Sequence, residues 1–213
     1  RNFRVDAWVT PPNYTGRPPI LLPGMRAGEP TRETQPVAVP SGSVLVIRAT
    51  GAPLDLAVRG LQEGGAESGS NRVPAGSDER RFTIDASGSV TLRGPGRDLT
   101  WAFNAIPDTP PRVALAKDPE HQARGSLALA YKLEDDYGVV HAEAQFARKP
   151  PAAPIRDAKP ARPLYDPPGF SLTLPQARTR NGAGQTIKDL SDHPWAGTDV
   201  VMTLVARDEA KNE

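Results

Sequence analysis

Asp108-Thr109-Pro110-Pro111 is followed by the apolar pair Val113 and Leu115, then by Leu127, Leu129, Tyr131 and Leu133 on alternate residues. Next come Glu134-Asp135-Asp136-Tyr137-Gly138. Alternation with a period of two predicts a half-buried strand. The Thr-Pro-Pro run predicts a break before it, because proline fixes φ and donates no backbone hydrogen bond. The stretch therefore divides the chain into two units, 1–108 and 109–213. Glycine tolerates positive φ and aspartate bonds nearby backbone, so Asp135 to Gly138 predicts a tight hairpin joining two long strands.

The same periodicity runs outward in both directions. Phe3, Val5, Ala7 and Val9 alternate with Arg4, Asp6 and Trp8. Val44 to Ile47 is a short apolar run behind the turn Pro40-Ser41-Gly42. Leu54, Leu56 and Val58 form another alternating set, as do Phe82 with Ile84, Val90 with Leu92, and Leu99, Trp101 and Phe103. About six strands in the first half is the density of a β-sandwich. In the second half, Val140, Ala142, Ala144 and Phe146 oppose His141, Glu143 and Gln145. Phe170, Leu172 and Leu174 follow, and Val200, Met202, Leu204 and Ala206 close the unit. The expected fold is all-β: two tandem immunoglobulin-like (fibronectin-like) β-sandwich domains. The 24 prolines and 19 glycines in 213 residues leave little room for long helices.

Two segments break the pattern. Gln62 to Glu79 is rich in Gly, Ser and Glu and reads as a mobile loop. The Pro-rich insertion 148–169 holds seven prolines and reads as an extended surface segment. Its basic residues, including Arg148, Lys149 and Arg156, suit an acidic surface or an anionic polymer, but a mobile linker-like insertion is the simpler reading.

Composition excludes several chemistries. There is no cysteine, hence no disulfide, thiolate metal site or cysteine nucleophile. A net charge of +1 with both signs interspersed is unlike the one-sided basic surface of a nucleic-acid binder. No run approaches the ~18 apolar residues of a membrane span. The chain begins at Arg1 and ends just after a strand-like run, and so reads as part of a longer protein.

Glu134, Asp135 and Asp136, with Asp108, Asp208 and Glu209, offer the hard oxygens that calcium prefers. Without a D-x-D-x-D-G loop, turn chemistry and solvated charge explain them more simply. His121, His141 and His193 lack metal-ligand spacing and any thiolate, which favours surface or loop histidines over zinc. No G-x-S-x-G, phosphate-binding loop or dinucleotide fingerprint is present. The sequence calls for no cofactor. Trp101 follows core periodicity. Trp8 falls on the polar side of its strand, and Tyr165 and Trp195 sit in Pro-containing loops. These three are the candidate binding residues, able to stack on a sugar or dock a peptide if exposed. Burial at a sandwich end is the plainer role for such large rings.

Several strings together carry a resemblance: RVDAWVTPPNYTGRPPI (Arg4 to Ile20), VPSGSVLVIRATG (Val39 to Gly51), WAFNAIPDTPP (Trp101 to Pro111), YKLEDDYGVVHAEAQF (Tyr131 to Phe146) and KDLSDHPWAGTDVVMTLVARDEAKNE (Lys188 to Glu213). They resemble the domain of unknown function 4175 family of large alphaproteobacterial inner-membrane proteins, with PPxYTGRPP and HPWAG the most specific pieces. The resemblance implies a β-rich segment on the periplasmic face of the bacterial inner membrane, in a membrane-anchored parent. It carries over no catalytic residue. The ending Ala206 to Asn212 is similar to the last strand and exit turn of bacterial immunoglobulin-like domains, with Lys211 where glycine is usual.

The expected role is a non-enzymatic interaction or spacer module whose partners are envelope proteins or a cell-wall polymer, not nucleic acid. The alternatives are a carbohydrate- or peptidoglycan-binding module, or an accessory domain of an envelope hydrolase. Fold alone does not choose among them.

Overall fold

The computed structural model describes residues 3–28, 34–64, 75–94, 96–150 and 164–213. The chain is all-β. Among the described residues, the regular elements are strands and two three-residue 3₁₀ turns, and no helix is long and apolar enough to cross a membrane. The chain divides into two compact units, Arg1–Asp108 and Thr109–Glu213.

The first unit holds β1 (Arg4–Thr10), β2 (Ile20–Arg26), β3 (Val37–Pro40), β4 (Ser43–Thr50), β5 (Leu56–Arg59), β6 (Gln62–Glu63), β7 (Ser77–Ile84), β8 (Gly88–Arg93) and β9 (Asp98–Ile106). One sheet has the order β2-β1-β4-β7-β6 and the other β3-β9-β8-β5. β3 lies parallel to β9, while β1 pairs antiparallel with β2 and β4. Alternation decides which side chains face inward. Val5, Val9, Leu45, Ile47, Phe82 and Ile84 come from the first sheet, and Val90, Leu92, Leu99, Trp101 and Phe103 from the second. All are at most 2% exposed and form one cluster, so the two sheets share a core as a sandwich does. Truncating a side chain such as Phe82 to alanine there costs about 3–5 kcal/mol.

The second unit holds β10 (Arg112–Leu115), β11 (Glu120–His121), β12 (Ser126–Arg148), β13 (Gly169–Ser171), β14 (Thr179–Asp189) and β15 (Val200–Asp208). It is built around β12, a continuous strand of 23 residues. The expected hairpin at Asp135 to Gly138 does not form. Ser126 to Glu134 pairs with β14 on one edge and with β10 and β11 on the other. Val139 to Arg148 pairs with β15 and β13. Both halves therefore spend their backbone groups on other strands, and neither pairs with the other.

The turn-like residues instead make an irregularity inside the strand. Asp135 Oδ2 accepts the N–H groups of Tyr137 at 3.1 Å and Gly138 at 2.6 Å. Gly138 takes φ of 108°. These are the bonds expected of a turn, but they bend the chain without reversing it. A second register shift between Val139 and His141 moves burial to Ala142, Ala144 and Phe146 and leaves Val140 half-buried. Inward residues of both halves, from Leu127 to Phe146, share one core with Leu172 and Ala206.

The segment expected to be a mobile loop is strand at both of its ends. Gln62–Glu63 is β6, and Ser77 to Glu79 opens β7, whose residues pair along the whole of β4. Residues 65–74 of that segment, and 151–163 of the Pro-rich insertion, lie outside the described residues. At the insertion's ends, Arg148 closes β12 and Gly169 opens β13.

Candidate binding site

The three aromatic candidates occupy different surroundings. Trp8, on β1, is half-buried. Register sets it beside Leu21 and Val46, and the Arg48 guanidinium lies 5.3 Å from its ring centroid. Arg48 is held by Glu79, whose carboxylate also receives Arg81. Tyr165 is 56% exposed. Trp195, in contrast, is only 6% exposed, so its ring does not offer the open face that sugar stacking requires.

Trp195 is instead part of the wall of a pocket of about 340 Å³ in the second unit. His121, Leu127, Phe146, Ser191 and His193 line the same pocket. The loop His193-Pro194-Trp195 folds on itself. His193 N–H donates to Leu190 O, Ala196 N–H to His193 O, and Thr198 N–H to Trp195 O. Trp195 N–H donates to His193 Nδ1 at 3.1 Å. With Nδ1 accepting, a neutral His193 carries its ring proton on Nε2 and presents a donor there. The His193 and Trp195 rings meet edge to face at 6.0 Å, and the Arg148 guanidinium lies 5.1 Å from the Trp195 centroid.

Gly125, also in the lining, belongs to a tight stretch of backbone. Arg124 and Gly125 both have positive φ, 69° and 83°. A Cβ on Gly125 would stand 2.9 Å from Ser191 Cβ. Holding arginine in the left-handed region costs about 1 kcal/mol or more.

The two buried tryptophans differ in one respect. The Trp101 indole N–H donates to Pro23 O at 2.8 Å. The Trp195 indole N–H is buried and has no hydrogen-bond partner among the described residues. A buried donor without a partner costs about 1–3 kcal/mol.

Glu134, Asp135 and Asp136 line one cleft but make no metal-ligand cluster among the described residues. Strand alternation turns Glu134 and Asp136 outward and Asp135 inward, where it is 8% exposed. The cleft they line, about 370 Å³, also contains Arg112 and Arg180, whose positive charges oppose a cation there. Among the described residues no group of three His, Asp or Glu side chains could hold a metal ion. Burial pushes the Asp135 carboxyl above its ordinary value. The N–H groups of Gly138 and Tyr137 oppose this, and the charges of Asp136 and Asp208 add to it. His141 lies on the polar face of β12, 3.5 Å from Glu143, away from the pocket that His121 and His193 share.

The sequence marks Trp195 as a binding candidate and gives His121 and His193 no link to it. His121 and His193 share no metal-ligand spacing in sequence, and only the fold of β11 and β14 about β12 brings them to one pocket. The HPW string was the one available signal.

An all-β chain with a sandwich-like first unit and an aromatic pocket in its second defines a class rather than an activity. The model of the DUF4175 family, a domain of unknown function, matches residues 1–213, and the chain belongs to that family. No curated protein matches it. A solved structure titled "Anomalous substructure of Titin-A168169" aligns over 83% of this chain and 95% of its own, at 10% identity and a TM-score of 0.25. That likeness is too weak to carry an argument.

Proposed function

We propose that this chain is a non-catalytic docking module of a larger, membrane-anchored protein on the periplasmic face of the bacterial inner membrane. In this reading it is made of two consecutive immunoglobulin-like sandwiches. The shared core of two sheets in the first unit supports the sandwich assignment there. The observation that carries the docking role is the Trp195 pocket: apolar walls, a positive-φ glycine at Gly125 in its lining, and a buried tryptophan beside His193. Small, mostly apolar pockets with a few placed polar groups are the usual form of a recognition site.

The test is proximity crosslinking of the full-length parent in its native envelope, with and without residues 1–213. Specific envelope proteins lost on deletion support the docking role. Loss of co-purifying glycan with unchanged protein neighbours replaces it with polymer binding, for which exposed Tyr165 and half-buried Trp8 are then the residues to mutate. Unchanged neighbours of both kinds contradict it.

A further inference from the structure

We infer that the outer edge of β15 is a strand-docking site, and that its occupant is the segment of the parent protein that follows Glu213. That segment returns antiparallel along Val200–Ala206 and adds a strand to the second unit. The inference rests on the reading of this chain as part of a larger protein.

Among the described residues β15 pairs with β12 alone. It is nine residues long, holds no proline or glycine, and carries no charge before Arg207, so it lacks the usual protections of an exposed edge. The other edges of this unit have them. β10 and β13 are short and follow Pro110-Pro111 and Pro167-Pro168. β14 is long, but the positions it sets opposite Leu133, Tyr131, Leu129 and Leu127 are Gly182, Gly184, Thr186 and Lys188, which leave no apolar side chain to cover. On β15 the corresponding positions are Met202 and Leu204, opposite Phe146 and Ala144. Ala144 is 0% exposed, whereas Met202 and Leu204 remain half-buried at the border of the core, and Val201 on the other face is 47% exposed.

The second strand of a hairpin has already begun on that edge. Lys211 N–H donates to Asp208 O at 3.2 Å, Asp208 N–H donates to Asn212 O at 3.3 Å, and Lys211 has φ of 69°. These are the bonds of a three-residue hairpin loop, a turn closed by one left-handed residue. Asp208 and Asn212 form its first cross-strand pair. Arg207 and Glu213 form the next, and their side chains make an ion pair. Because Asp208 turns both backbone groups toward Asn212, Ala206, Leu204 and Met202 turn theirs to the same edge, away from β12. The register then sets the first, third and fifth residues after Glu213 opposite these three, on the core side. Apolar side chains there would cover Leu204 and Met202. A second copy of the chain would have to displace the hairpin already begun, whereas the local return needs only this short loop.

The experiment is disulfide trapping in the full-length parent. Residues 1–213 contain no cysteine, and Thr203 is exposed, so Thr203→Cys adds one thiol at a tolerant position. The register places the fourth residue after Glu213 opposite Thr203 in a pair without mutual backbone hydrogen bonds, where Cα atoms stand about 4.5 Å apart and a disulfide can close. Replacing that fourth residue by cysteine in the Thr203→Cys parent should give, after mild oxidation, an intramolecular disulfide identified by mass spectrometry of the linked peptides. Cysteine at the third residue instead should give none, because its side chain turns to the other face. No disulfide from the fourth position, or equal yields from the third and fourth, overturns the strand. A disulfide joining two copies of the parent overturns the assignment of its occupant in favour of a second copy. None of these results bears on whether deleting residues 1–213 changes the parent's neighbours, so this inference and the docking role fail separately.

Discussion

Gly184 lies directly across the sheet from Tyr131, and an added Cβ there would stand 2.6 Å from Tyr131 Cε2 and 2.8 Å from Thr173 O. The glycine makes room for a small closed network. Tyr131 O–H donates to Thr173 O at 2.5 Å, so the Thr186 hydroxyl must be the donor in its 2.7 Å contact with Tyr131. Thr173 N–H completes the ring by donating to Thr186 Oγ1 at 2.9 Å. Gly184→Ala should therefore destabilise the second unit by about 1–3 kcal/mol, because a buried ring and a backbone carbonyl must both move. Tyr131→Phe should cost about 1 kcal/mol. Denaturant midpoints of the two variants check both figures, and a neutral Gly184→Ala contradicts the close approach.

Asp135 gives a pH signature of known sign. Its folded carboxyl titrates above the ordinary value of 3.8, chiefly through burial, so the folded state holds that proton more tightly than the unfolded state. This contribution to stability rises as pH falls through the folded value and levels off below the unfolded one. Asp135→Asn can still accept from Tyr137 and Gly138, and it carries no charge. Relative to wild type it should be most favourable at neutral pH, and the advantage should shrink toward pH 3.8. Urea unfolding at several pH values reads the difference. A constant difference across that range contradicts the buried charge.

Glu79 should show the opposite slope. Burial raises its carboxyl, but the hydrogen bonds from Arg48 and Arg81 outweigh it and hold the group below the ordinary 4.5. Its side chain is 6% exposed, with Arg48 at 2.7 Å and Arg81 at 3.0 Å. The stabilisation is present above the unfolded value and is lost as pH falls through the folded one. Glu79→Ala should cost about 2 kcal/mol at neutral pH and progressively less in acid. A cost that does not depend on pH would assign the effect to packing.

Lys211 occupies a glycine's conformation. Its φ is 69°, and its N–H donates to Asp208 O at 3.2 Å, while Asp208 Oδ1 accepts Asn212 N–H at 2.8 Å. The exit turn therefore forms despite the lysine. Lys211→Gly should stabilise the chain by about 1 kcal/mol, the left-handed strain relieved less the added freedom of the unfolded chain. A lower thermal midpoint for the variant contradicts that.

The parts of the fold legible in the sequence are those where apolar alternation and burial coincide. Val5, Ala7 and Val9, then Leu127 through Leu133, face inward as the period of two demands. β14 was invisible because Thr179–Asp189 carries little apolar alternation. Its backbone pairs along the first half of β12 while most of its side chains face outward, and Gly182 and Gly184 are there for close approach. The sequence cannot separate a hairpin from the irregularity in β12, because Asp and Gly make the same local bonds in a bulge as in a turn and only the partners on each edge distinguish them. At the site, the proline-flanked position of Trp195 marked it as a candidate. Its place in one pocket with Phe146, Leu127 and His121 arises only in the assembled unit.

The most direct test of the central claim uses a photo-crosslinking amino acid incorporated into the full-length parent in living cells, either at Ala196 on the pocket wall or at Lys132 on the exposed face of β12. The docking account predicts a discrete protein adduct from Ala196, reduced by Trp195→Phe, and none from Lys132. The same adducts from both positions, or no adduct from Ala196, would contradict it.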